Sequence, residues 1–383
     1  MSESRIPLAR PALGEREEEL VLEVIRSGML SLGPMLGRFE SEFAERLGVE
    51  DAVAVSSGTA ALHLAVRELG WGRGDEVVTT PLSFVASSNS LLFEDVTPVF
   101  CDVDPATLTL DPDLAAAAVG EATAGVLPVH IFGFPAAIAS IERLASERGL
   151  GVLEDCAQAL GTLDADGREA GSRGNPAAFA FYANKQMTTG EGGMLVPRSE
   201  GGAELARSER NQGRAPGMKF MDHERLGFNY RLTDVAAALG IAQLERLGEL
   251  LAARAEIAAG YSERFAELGA REPGEGDPDD LVLPLADRGA ERRSWFVYIL
   301  RLPKAIDRDA VIAELDRRGI DARPYIPCIH LYDFYRERFG LREGQFPVAE
   351  DFSSRSLALP FYPGLGEASR ERVVTEVASI LGR

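Results

Sequence analysis

The chain has 383 residues, of which 45% are hydrophobic, 26% charged and 7% aromatic, and its 40 Lys and Arg against 60 Asp and Glu leave a net charge of −20. That composition can bury a sizeable core and excludes disorder, while the length allows two or three units at ~150 residues each. The acidic surface repels phosphate backbones and anionic lipid, which excludes nucleic-acid or membrane binding by bulk charge; cations for an anionic ligand must be gathered in a site.

In chain order, short and nearly continuous apolar runs recur at residues 52–55, 77–80, 98–101, 126–131, 151–153, 177–182 and 194–196. Runs of this kind predict strands covered on both faces. Helical patterns fall between them at 60–69, 111–119 and 138–147. Strand–helix alternation predicts an α/β fold, a mostly parallel sheet with helices on both sides. From Thr233 the pattern changes. Leu244, Leu247 and Leu251 recur at helical spacing within a predicted helix over 234–268, and Thr233 is placed to cap its first turn. Residues 271–280, rich in Glu, Asp, Gly and Pro, read as a solvated loop; 294–302 reads as a strand, and 308–318 and 369–381 as helices. The long helix is thus expected to join a large domain over 1–245 to a smaller C-terminal α+β domain over 246–383.

Cys101, Cys156 and Cys328 show no CxxC spacing and imply no disulfide framework. His63, His130, His223 and His330 form no metal-ligand spacing, so no metal site is expected. No charged-then-apolar leader opens the sequence and no apolar run approaches the ~18 residues of a membrane span, so the expectation is a cytoplasmic protein. The glycines of residues 70–74 have the wrong spacing for a dinucleotide loop, and no P-loop occurs.

Four features sit just past predicted strands, where open α/β sheets bind ligands. Ser57-Gly58-Thr59-Ala60 is a small-residue turn into a helix, whose free amides can cradle a phosphate; taken alone it is an ordinary capped turn. Phe84 follows the 77–80 run and can stack on a flat ring, although a single aromatic is more often core. Asp155 ends the 151–153 run; a carboxylate there needs a cation, such as a protonated pyridine nitrogen, or else serves as a helix cap. Lys185 directly follows the apolar 177–182 run and precedes a glycine-rich loop. Partial burial disfavours its ammonium and frees the amine as a nucleophile for a Schiff base. Together, and with Asp155 and Lys185 thirty positions apart, these pieces describe a pyridoxal phosphate site.

At these residues the chain resembles the DegT/StrS-type sugar aminotransferases, fold type I pyridoxal phosphate enzymes acting on nucleotide-linked keto sugars. The resemblance runs almost end to end: Ser27-Gly28 through Gly33-Pro34, Ser57-Gly58-Thr59-Ala60-Ala61-Leu62, Pro98 to Asp104, Pro128-Val129-His130, Glu154-Asp155-Cys156-Ala157-Gln158, the Lys185 segment, Gly227-Phe228-Asn229-Tyr230-Arg231-Leu232, and Pro324-Tyr325 through His330. It implies that Lys185 holds the internal aldimine and shuttles the proton, and that Asp155 keeps the ring nitrogen protonated. It further implies that Gln158 bonds the ring hydroxyl, Phe84 stacks on the ring, and Gly58 and Thr59 hold the phosphate. Asn229 would reach the phosphate of the neighbouring subunit's cofactor, making the active unit a homodimer with shared sites. Tyr325 and His330 would lie near the sugar-nucleotide pocket.

One departure stands out: the family usually has a serine where this chain has Ala180. Losing one hydrogen bond to a charged group costs on the order of 1.5–3 kcal/mol unless another group replaces it, which implies a somewhat looser cofactor site.

The reaction the resemblance implies is transfer of an amino group, with L-glutamate as donor and pyridoxamine phosphate as the intermediate form of the cofactor, to a keto carbon of a nucleotide-linked deoxysugar. Residues 80–86 resemble members acting on UDP-linked 4-keto-6-deoxy-N-acetyl hexosamines more than those acting on GDP-linked sugars. Aminotransferases of cyclitols and other ring carbocycles are a rival reading. A dehydratase, which has histidine in place of the lysine, is opposed by Lys185. A non-catalytic relative and a nicotinamide enzyme rank below these.

Overall fold

The structure is a computed structural model describing residues 5–214, 222–275 and 279–383. Two helices come first, α1 (Glu15–Ser27) and α2 (Pro34–Leu47). Strands and helices then alternate: β1 (Val53–Val55), α3 (Gly58–Glu68), β2 (Glu76–Thr79), α4 (Ala86–Leu92), β3 (Thr97–Phe100), α5 (Pro112–Ala118), β4 (Thr123–Leu127) and α6 (Ile138–Arg148). β5 (Gly151–Val152), β6 (Glu154–Asp155), β7 (Ala177–Ala180), β8 (Gly193–Val196) and α7 (Glu200–Arg210) complete this part. After it come α8 (Asp234–Glu245), α9 (Leu247–Glu267), β9 (Tyr298–Arg301), α10 (Arg308–Arg317), α11 (Asp333–Phe339), α12 (Pro347–Arg355), β10 (Ser356–Leu359) and α13 (Glu367–Leu381).

The strands line up as β3-β2-β4-β5, all parallel, and as β6-β7-β8-β1, in which only β8 runs against its neighbours. β5 and β6 are successive pieces of one strand. The Leu153 amide donates to Val126 O at 3.0 Å and the Asp155 amide to Pro128 O at 2.9 Å, which joins the two ladders into one sheet. Side chains alternate across it: Val77 and Leu127 enter one apolar cluster, while their neighbours Val78 and Val126 enter another. Both faces are therefore dry, as the uninterrupted apolar runs require.

Two expectations are corrected. The 126–131 run ends as a regular strand at Leu127: Pro128 has no amide to donate, pairing resumes only as an isolated bridge between Val129 and Asp155, and the chain then turns through Phe132 at φ 56°. The helix over 234–268 breaks at Arg246 (φ −116°), which lets α8 pack on α1 and α2 while α9 turns to pack against α13. Thr233 caps α8 as read, its Oγ1 accepting from the Ala236 amide at 3.2 Å. The antiparallel pair β9–β10, α10, α13 and the second half of α9 share one apolar cluster, and Ile6 from the other end of the chain packs into it. Within the loop read at 271–280, residues 276–278 lie outside the described residues.

Candidate active site

Seven chain segments, those at or after the ends of β1, β2, β4, β6, β7, α9 and α10, converge on a cavity of about 480 Å³. Its walls are strand ends and loops, so side chains point into it without interrupting the sheet.

α3 begins at one wall. Ser57 adopts extended backbone (φ −165°) and its Oγ accepts from the Ala60 amide at 3.1 Å. The amide of Ala61 already donates to Ser57 O. The orphan amides left at this end are those of Gly58 and Thr59, and both residues line the cavity. Glycine is required here by close approach: a Cβ on Gly58 would lie 2.6 Å from Ala180 Cβ, and one on Gly193 would lie 2.5 Å from Ser57 backbone. Ala180 thus faces the helix start, where the resemblance places a serine. Phe84 lines the cavity and is 59% exposed, so its ring face is available.

Asp155 ends β6 nearly buried, at 4% exposure. Its Oδ2 accepts from Ser87 Oγ at 2.7 Å and its Oδ1 from the Ala157 amide at 3.0 Å. Burial pushes its carboxyl above the usual range, against the opposing pull of these donors and of Lys185. Gln158 is buried beside it and spends its Oε1 on the Phe132 amide at 2.8 Å, so its NH₂ group is the end left for a ligand.

Lys185 lies in the turn after β7, its amide donating to Tyr182 O at 3.0 Å. Its Nζ stands 4.2 Å from the centroid of the buried Phe296 ring. Burial pulls its ammonium down to about 8, although the charge of Asp155 works the other way. An amine that is largely neutral just above pH 8 is a competent nucleophile.

Three residues outside the sequence reading hold this arrangement. Gln186 Nε2 donates to Gln158 O and Ser294 O. Arg254, 3% exposed, donates from Nη2 to Lys185 O at 2.9 Å and from Nη1 to Phe296 O at 3.1 Å. Burial without a charged partner draws its guanidinium down to about 10. Its signal was present in the sequence: Arg254 interrupts an apolar stripe of α9 that continues through Leu250, Ile257, Tyr261 and Phe265. Phe296 carried no such signal, as an ordinary apolar residue in a predicted strand.

The remaining predicted residues divide. Tyr325 lines the cavity, with its ring 5.9 Å from Phe132 and 6.1 Å from Phe296. His330 does not line it: it is fully buried, its Nε2 lies 2.9 Å from Glu350 Oε1 and its ring packs on Phe346, which corrects the expectation of a position near the substrate pocket. Asn229 is exposed, bridges Asn211 through the backbone, and lies outside the cavity of its own chain.

Among the described residues, His130, Glu154 and Cys156 bring ligand-type atoms within 4.8 Å of one another, a grouping that spacing could not reveal. Both ring nitrogens of His130 are engaged. Nδ1 accepts from the Ala136 amide at 3.0 Å, so Nε2 carries the hydrogen and donates to Glu154 at 3.1 Å. Asn175 and the Gly171 amide satisfy Glu154 further. This is a closed hydrogen-bond network within the core.

The cavity fits a phosphate-bearing heteroaromatic aldehyde. Two orphan amides, a buried acid, a neutralisable amine and a free aromatic face surround it, and the buried Asn184 Oδ1 on its wall has no partner in the protein. Among proteins of known sequence, the chain is 36% identical to the spore coat polysaccharide biosynthesis protein SpsC of Bacillus subtilis, over 98% of this chain and 97% of that one. It is also 36% identical to GDP-perosamine synthase of Caulobacter vibrioides, over 98% of both. The crystal structure of S. venezuelae DesV in complex with a ketimine intermediate superposes with a TM-score of 0.88, at 32% identity and 99% coverage of both chains. The sequence profile of the DegT/DnrJ/EryC1/StrS aminotransferase family matches residues 11–378. The chain therefore belongs to that family, and it is a pyridoxal phosphate-dependent aminotransferase of fold type I.

Proposed function

We propose that this enzyme transfers an amino group from an amino acid, L-glutamate in the first instance, to the keto carbon of a nucleotide-linked deoxysugar in glycan or secondary-metabolite biosynthesis. The observation that carries this is that a neutralisable Lys185 and the buried acid Asp155 line one cavity, in a chain whose relatives include a polysaccharide biosynthesis protein and a GDP-perosamine synthase. The bound cofactor supplies the electron sink and carries the amino group between half-reactions.

The chain's own residues divide the rest of the work. Lys185 Nζ would anchor the cofactor covalently and, once free, would move the proton at the donor's reacting carbon. Asp155 would hold the ring nitrogen as a cation, Gln158 would orient the ring through its amide NH₂, and Phe84 would cover the ring face. The Gly58 and Thr59 amides would take the phosphate. Tyr325, which lines the cavity from the C-terminal part beside Phe296 and Ile326, would face the sugar. The break at Arg246 supports a division into a cofactor-binding unit over 1–245 and a smaller unit over 246–383.

The active unit is proposed to be a homodimer. Leu22, Ile25, Met29, Leu30 and Leu32 are large, apolar and at least 44% exposed, more than a monomer of this size would leave in one stretch. Asn229, exposed and outside its own cavity, is then available to the partner subunit's cofactor phosphate.

The test is the visible spectrum of the purified protein with pyridoxal phosphate, before and after L-glutamate, beside Lys185→Ala. A band that forms and then bleaches with glutamate in the wild type, but does not form in the variant, supports the reading. Turnover of a UDP-linked 4-keto-6-deoxy-N-acetyl hexosamine above a GDP-linked 4-keto sugar and a cyclitol ketone identifies the acceptor; preference for either of the others overturns the UDP assignment.

A further inference from the structure

On the cavity wall a short chain of buried hydroxyls ends on Asp155. Ser83, Ser87 and Asp155 are all buried. Ser87 Oγ has one hydrogen and three oxygens in reach: Asp155 Oδ2 at 2.7 Å, Phe84 O at 3.1 Å and Ser83 Oγ at 2.6 Å. An ionised carboxylate in a dry setting is the strongest acceptor of the three. It takes the hydrogen of Ser87, and Ser87 in turn accepts from Ser83. The relay therefore runs one way, from Ser83 to Ser87 to Asp155.

We propose that Ser87 is a positioning residue that sets the aim and the basicity of Asp155 toward the cofactor's ring nitrogen, with Ser83 orienting it from behind. The proposal rests on the reading that Asp155 is the ring-nitrogen partner. A carboxylate offers about four lone-pair sites. Ser87 fills one on Oδ2 and the Ala157 amide one on Oδ1, which fixes the plane of the group and leaves one site on each oxygen. The other titratable groups that act on Asp155 are Lys185 and His130, with Glu154 adjacent on the strand. Burial raises the proton affinity of Asp155, and Ser87 is the largest influence holding it down. Ser83 directly precedes Phe84, so the same relay ties the loop that presents this ring to the acid.

The sign of the effect is determined. Asp155 must be ionised to hold a protonated ring nitrogen, so cofactor affinity falls as pH drops through its pKa. Removing a donor to the carboxylate raises that pKa, and the acid limb of binding moves to higher pH.

The experiment measures pyridoxal phosphate dissociation constants between pH 5 and 9, with thermal melts, for the full chain and for Ser87→Ala, Ser87→Thr, Ser83→Ala and Asp155→Asn. Ser87→Ala is expected to weaken binding roughly tenfold near neutrality and to raise the acid limb by about one pH unit. Ser87→Thr, which keeps the hydroxyl, restores both, and Ser83→Ala moves the limb the same way by less. A wild-type limb in Ser87→Ala beside a defective Asp155→Asn overturns the role of Ser87 alone. Equal impairment by Ala and Thr does the same, because it assigns the effect to packing. If Ser87→Ala does not fold, Ser83→Ala decides, and an unmoved limb there overturns the relay. Wild-type binding by Asp155→Asn overturns the assignment of Asp155 itself.

Discussion

Glu154 and Asp155 are neighbours on one short strand, and each sits in a buried cluster of titratable groups. On one face Glu154 meets His130, Asn175 and the Gly171 amide. On the other, Asp155 meets Ser87 and the Ala157 amide beside the cavity that also holds Lys185. The first cluster closes on itself, since each ring nitrogen of His130 and each oxygen of Glu154 has a partner. The second is open, with acceptor sites and an amine left beside an empty volume. Burial and titratability are common to both; spare valence next to space is what distinguishes the site. The closed cluster is expected to matter for stability and the open one for chemistry, and that contrast can be tested from both sides.

The largest expected effect is at the open cluster. Lys185→Ala removes the proposed anchor and proton carrier, and is expected to lower transamination by on the order of 10⁴-fold with little loss of stability, read by turnover and by chemical denaturation. Retained turnover would break the contrast at its strongest point. Across the strand, Glu154→Ala strips the acceptor from three buried donors, His130, Asn175 and the Gly171 amide, and is expected to cost about 3–5 kcal/mol in denaturant unfolding, while the surviving folded protein still takes up cofactor. A loss of cofactor binding without a loss of stability would show that the two clusters are not separate.

A smaller effect follows from the position of Lys185 at about 8. Its neutral amine is the reactive form, so the rate of cofactor capture by the apoprotein should rise with pH and level off above a midpoint near 8. A rate that keeps rising through pH 9 without levelling off would show that the ammonium is not desolvated as described. The smallest expected effect is at the phosphate end. Ala180→Ser adds a hydroxyl beside Gly58 and is expected to tighten cofactor binding by about tenfold or more. An unchanged dissociation constant would mean that a water, an amide or the partner subunit already supplies the missing bond.

Much of the cofactor side was legible because its residues are local events on a periodic background. Asp155 and Lys185 each terminate an apolar strand, and Gly58-Thr59 opens a helix behind a capping serine; the sequence position of each is also its place at the cavity wall. His330 was misplaced because only its chain neighbourhood was readable. Whether a buried imidazole faces a cavity or a carboxylate is decided by packing, here by Glu350, which the Gly344 and Phe346 amides hold in place. Arg254 and Ser87 show the intermediate case. One breaks an apolar helical stripe and the other lies inside a motif already singled out, yet neither partner can be named from chain position.

What the sequence determined by itself is the alternation of strands and helices, the burial of both sheet faces, and the order of the residues proposed to hold a pyridine ring and its phosphate. These follow from periodicity and from chemistry confined to a few adjacent positions. What only the tertiary structure decided is which polar groups were left unsatisfied. It joined β5 to β6, bent the chain at Arg246, closed His130 against Glu154, and stopped the hydroxyl chain from Ser83 at Asp155. Hydrogen-bond satisfaction is a property of partners brought together from distant parts of the chain, and no window of sequence contains both.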